Sequence, residues 1–154
     1  MTTLWLAIMT AGVLGIADEP VKAATSNGDL DKLRGTWLTV SLIHDGKTVV
    51  SEKNPPREGP VTKLAYEGSK WKVIVGDKTV ATGIIKIDAT KSPKEIDVLD
   101  ESGTVNEKTK RAIYELDGDT YKYCIAPAGK PRPTEFVSKE GSGHSLIVSK
   151  REKP

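Results

Sequence analysis

The chain has 154 residues, and its 23 Lys and Arg are interleaved with 21 Asp and Glu to leave a formal charge of only +2. Such a length suits one domain with a single core. The pattern argues against nucleic-acid binding, because the one basic run, Lys150-Arg151-Glu152-Lys153, is a solvated chain end with no aromatics interleaved.

Met1 to Ala17 carries no charged side chain and is apolar from Leu4 to Ile16, with Gly15-Ile16-Ala17 placing small residues where a signal peptidase reads. A removed secretory leader over 1–17 is therefore expected, although Thr2 and Thr3 stand where basic residues are usual. The other reading is a buried N-terminal strand or helix. The run is short for a membrane span, which needs about 20 apolar residues, and no cysteine follows it to carry a lipid. The expected setting is extracytoplasmic, periplasmic or secreted, with no permanent membrane anchor. A second cut, after Ala23, also fits the spacing.

Asp18 to Asn27 has no periodicity and reads as a flexible leader to a domain over 28–152. Ser26-Asn27-Gly28-Asp29 has the spacing of a helix start, and Leu30 and Leu33 share one face before Gly35 stops the turn. So short a helix cannot stand alone, and its leucines are expected to cover an open end of the domain.

From Gly35 the apolar period becomes two. Trp37, Thr39, Ser41 and Ile43 form one face and Thr36, Leu38, Val40 and Leu42 the other, with His44-Asp45-Gly46 as the turn to Lys47–Val50. Ser51 to Pro60 holds three prolines and is a loop. Thr62–Glu67, Lys70–Val75 and Thr79–Ile87 form a meander, Lys94–Leu99 follows, and Glu101 to Thr109 is a charged loop. Lys110–Leu116 and Thr120–Ala126 flank Asp117-Gly118-Asp119. Two more strands are expected at Thr134–Val137 and Ser145–Arg151.

These nine or ten short runs, with no long amphipathic helix between them, predict an all-β fold: an antiparallel up-and-down barrel of about 8–10 strands with a short N-terminal helix. Closure requires the first and last strands to pair.

Chemistry is sparse. Asp117-Gly118-Asp119 lacks the alternating ligands, the glycine and the glutamate of a calcium loop, and reads as a turn. His44 and His144 each lie near a turn glycine, outside any metal-ligand pattern, and read as surface histidines. Ser142 and His144 lie near Glu140, but a Gly-Ser-Gly turn does not fix a nucleophile against a base. Cys124, the single cysteine, reads as a small half-buried hydrophobe, with an intermolecular disulfide as the other reading. No catalytic residue, metal or cofactor is expected, and the chain is expected to be a monomer.

The stretch from Leu30 to Arg151 resembles a family of small exported lipocalin-like domains expanded in planctomycetes. The resemblance rests on Leu33-Arg34-Gly35-Thr36-Trp37, on Ile113 to Asp119, on Cys124 to Phe136, and on the late glycine turn before the last strand. It implies a lipocalin-like barrel, with Gly35, Trp37 and Arg151 as structural residues, a basic side chain near the end of the last strand, Arg151 or Lys150, covering Trp37, and an extracytoplasmic setting. It implies no reaction. The disulfide usual in secreted animal lipocalins is absent.

Two functions follow from a barrel of this size. In one, the interior holds a small apolar or amphiphilic ligand among Tyr66, Trp71, Tyr114, Tyr121 and Tyr123. In the other, side chains fill the interior and the surface makes structural or protein contacts.

Overall fold

A computed structural model describes residues 26–51, 53, 61–101 and 109–153. The expectations for the leader at 1–17, for most of 18–27, and for much of the 51–60 and 101–109 loops lie outside the described residues.

One short helix, α1 (Ser26–Leu33), precedes nine strands: β1 (Gly35–His44), β2 (Lys47–Val50), β3 (Thr62–Glu67), β4 (Lys70–Val75), β5 (Lys78–Asp88), β6 (Lys94–Asp100), β7 (Thr109–Asp117), β8 (Thr120–Ile125) and β9 (Ser145–Arg151). Eight of them close an antiparallel up-and-down barrel, in which β1 pairs with β3 and the order runs through β9 back to β1. The first half of β1, from Gly35 to Leu38, pairs with β3, while Leu42 to His44 pairs with β2. Thus β2 continues the wall where β3 diverges. Asp45 and Gly46 both have positive φ, 49° and 78°, which is the two-residue geometry an Asp-Gly hairpin supplies.

Two expectations need correcting. Thr134–Val137 is not a strand: 126–144 is one long irregular connection, because Pro127, Pro131 and Pro133 withhold ladder donors and Arg132 anchors the segment to β6 and β7 instead. The β1 faces also change partway. Opposite β9 the register skips Val40, pairing Thr39 with Ser149 and then Ser41 with Val148. A bulge of this kind reverses the alternation. Leu42 and His44, opposite Ile147 and Ser145, therefore share the inward side with Trp37 and Thr39, and Ser41 and Ile43 do not.

The helix-bearing end of the barrel is filled. Leu33, Trp37, Ile96, Tyr114 and Tyr121 are all under 2% exposed. Tyr121 is the hub, with ring centroids 5.6 Å from Trp37, 5.8 Å from Tyr66, 6.4 Å from Tyr114 and 5.0 Å from Tyr123. A smaller buried group lies outside the barrel wall, where the 126–144 connection covers Ile113 and Cys124, and the Cys124 thiol donates to Val137 O at 3.4 Å.

Candidate functional site

The helix end is sealed by polar bonds as well as by leucines. An α-helix leaves its last carbonyls without partners. Here the Trp37 indole donates to Leu33 O at 2.7 Å, and the Arg151 guanidinium donates to Arg34 O at 2.7 Å and to Lys32 O. The same guanidinium lies 4.2 Å over the Trp37 ring and reaches Asp119 at 3.2 Å. Gly35 has φ of 117°, and a Cβ there would stand 3.3 Å from Arg151 Nη1, so this junction of helix and strand requires glycine. Gly35, Trp37 and Arg151 thus meet at one place, and of the two basic candidates it is Arg151 that covers the indole.

Asp29 completes the seal, a role that its position in a helix-start motif did not reveal. Its carboxylate is buried and accepts from Tyr114 Oη at 2.9 Å and from Lys94 Nζ at 2.7 Å, with Lys32 at 3.4 Å. Burial alone would raise its pKa, but the bonds from Lys94 and Tyr114 and the charge of Lys94 outweigh that and hold it below its ordinary value. Burial, and then the Asp29 bond and charge, push the Tyr114 hydroxyl far up.

Toward the other end the barrel is hollow. A cavity of about 410 Å³ opens there, lined on its deep side by Leu64, Tyr66, Trp71, Val73, Val98, Tyr121, Tyr123 and Ile125 and at its rim by His44, Lys110, Ala126, Pro127, Ala128, Gly143 and Ser145. Four of the five aromatic residues singled out from the sequence meet in this lining. Tyr114 does not, because it is spent on Asp29 under the helix. Two of the lining residues face small partners across the ladder, Val73 opposite Ala81 and Trp71 opposite Gly83. Gly83 is obligatory, since a Cβ there would stand 1.8 Å from Leu99 O and 2.9 Å from the Trp71 indole nitrogen. That nitrogen donates to Ile84 O and Leu99 O, both at 3.2 Å, which fixes the ring at the cavity wall.

Polar atoms inside are few and uncharged. The Tyr66 and Tyr121 hydroxyls face each other at 3.5 Å. Burial pushes Tyr66 up to about 12, and burial with neighbouring tyrosines pushes Tyr121 and Tyr123 well above the ordinary phenol range. At neutral pH they are neutral donors and acceptors.

The rim is braced. Asp45 N–H donates to His144 O at 2.9 Å, Gly143 N–H donates to Asp45 Oδ1 at 2.8 Å, and the Ser138 hydroxyl donates to His144 O at 2.7 Å while accepting from Gly46 N–H at 3.2 Å. His44, expected as a surface histidine, is exposed, yet its ring borders the cavity and lies 2.9 Å from Ser145 Oγ. Ser142 Oγ donates to Lys139 O and accepts from His144 N–H, which is turn chemistry. Among the described residues no group of His, Cys, Asp or Glu is placed to hold a metal ion.

A larger depression of about 550 Å³ runs along β1, β3, β4 and β5, where Tyr66, Trp71 and Gly83 are joined by Arg34, Glu67, Lys70, Lys72 and Glu101, which mix both signs of charge. Five charged side chains line it, whereas the cavity that reaches Tyr121 and Tyr123 has aliphatic and aromatic walls with few polar groups, as a ligand site has.

No family model, curated protein or solved structure matches the chain.

Proposed function

We propose that this protein is an exported lipocalin-like carrier or receptor that holds one small apolar or amphiphilic molecule inside its barrel. The observation that carries this reading is the unfilled half of the interior: about 410 Å³ lined by Tyr66, Trp71, Tyr121 and Tyr123 with aliphatic side chains between them. Pockets of roughly 300–1,000 Å³ are the size that encloses small ligands. A barrel built only for packing would fill this end with Leu, Ile or Phe, which are cheaper to bury than tyrosine because they bring no hydroxyl to satisfy.

Export supports the same reading. The apolar, uncharged run from Met1 to Ala17 has the outline of a cleavable leader. N-terminal sequencing of the native protein is expected to start at Asp18, or at Ala24 if the second cut is used. An intact Met1 in the cytoplasm would refute export.

Binding itself is tested by titration with N-phenyl-1-naphthylamine, a neutral apolar fluorophore. Saturation near one probe per chain is expected, with loss of binding in Val98→Trp, which fills the cavity from a half-buried position. Unsaturable binding, or binding that Val98→Trp leaves untouched, would shift the function to the outer surface.

A further inference from the structure

Lys110 stands where a closed barrel has little use for a cation. On β7 it begins the inward row that continues through Ala112, Tyr114 and Leu116, and on β6 it faces Val98, which is itself a cavity wall. Lysine is rarely placed on an inward row without a paired charge, because dehydrating an ammonium is costly. Lys110 has no ion pair or hydrogen bond among the described residues. Nearby acidic side chains have partners of their own: Asp45, in the turn after β1, accepts from Gly143 N–H at 2.8 Å, and Asp100, next on the inward row of β6, is also engaged. Across the opening, His44 adds a second nitrogen-bearing side chain to the rim. The Tyr123 hydroxyl, on the wall between them and the floor, likewise has no hydrogen-bond partner among the described residues.

The cavity is therefore apolar and aromatic in depth and, among the described residues, has Lys110 as the one cation of its lining, without an ion pair there. Resting on the reading that this cavity binds a ligand, we infer that the ligand is an anionic amphiphile, a carboxylate with an apolar tail, whose head meets Lys110 at the rim with His44 beside it. The tail lies against Val73, Val98 and Tyr121. An ammonium bonded to a carboxylate makes a charge-assisted pair, stronger than a neutral one. At a half-buried rim this pair is screened less than at a free surface. Orientation follows from the same asymmetry, since the helix end offers the head no opening.

Three ligands with one chain length and different heads separate the claims: decanoate, decanol and decyltrimethylammonium, each competing against N-phenyl-1-naphthylamine. Decanoate is expected to bind about fivefold or more tighter than decanol, and the ammonium most weakly. Lys110→Met is expected to remove the preference for decanoate while leaving decanol within about twofold, and Lys110→Arg to retain the preference. Decanol binding as tightly as decanoate, or a preference surviving in Lys110→Met, overturns the assignment of the head and leaves the cavity reading standing. Displacement by none of the three overturns both. Circular dichroism and the decanol affinity together show that Lys110→Met keeps the fold, because a collapsed barrel would bind neither ligand.

Discussion

The Arg151 guanidinium lies 4.2 Å above the Trp37 ring, and the two side chains together take three backbone carbonyls at the end of α1. The first strand, the last strand and the helix are thereby tied at one point, the position from which the barrel closes. Trp37→Ala is expected to cost about 3–5 kcal/mol as a deletion of a fully buried aromatic. Arg151→Ala should cost about 2 kcal/mol, since it loses a cation on an indole face and the bonds to the helix carbonyls. Urea denaturation reads both values. A Trp37→Ala midpoint equal to that of the parent would remove Trp37 from the organising role.

Gly83→Ala is expected to be more disruptive than its single methyl suggests. The Cβ would collide with Leu99 O, a backbone atom that cannot swing aside, and with the indole of Trp71. A cost of about 3 kcal/mol or more follows from overpacking against backbone. The Trp71 ring would leave the wall, and tryptophan emission is expected to shift to the red. Parental emission and stability in Gly83→Ala would contradict the close approach described for β5.

Asp29 links stability to acid pH. Its folded pKa lies below the reference value of 3.8, so its contribution is present above that value and is lost as pH falls through the folded one. The parent should lose stability steeply below about pH 4, and Asp29→Asn should show a flatter acid limb and lower stability at pH 7. The bond between Tyr114 and a charged carboxylate is worth about 1.5–3 kcal/mol, readable by a double-mutant cycle of Asp29→Asn with Tyr114→Phe. Parallel acid limbs in parent and Asp29→Asn would show that Asp29 does not set the acid limit.

At alkaline pH the sign is reversed. Tyr66 ionises near 12 when folded against a reference of 10.0, so the stability tied to its neutral form is full below 10.0 and is lost as pH rises toward 12. Absorbance at 295 nm should show Tyr66, Tyr121 and Tyr123 ionising only together with unfolding. A phenol titration complete near the reference value in the folded protein would mean that these rings are not buried.

Much of this architecture is legible in the sequence, and the parts that are not share a cause. Period-two runs and Asp-Gly or Gly-Asp turns mark eight barrel strands and β2, because alternation and positive-φ turns are local properties. Thr134–Val137 has strand-like composition, but Arg132 and the prolines bind it to the barrel's outside, a contact that spans distant residues. The Val40 bulge is likewise invisible locally, yet it decides that His44 turns inward. Asp29 looks like an ordinary helix-start acid, and only the folded chain brings Tyr114 and Lys94 to it. Lys110 shares the parity of Ala112 and Tyr114, a local signal of an inward position, but only the closed barrel shows that this position is the rim of a cavity.

The cavity beneath His44 and Lys110 is expected to hold a ligand in the native protein. Native mass spectrometry of the protein purified from its native source reads this occupancy without a chosen probe. A population heavier than the bare chain by one small-molecule mass is expected, absent from Val98→Trp prepared in the same way. Finding only the bare chain in the parent, or the same added mass on Val98→Trp, would contradict it.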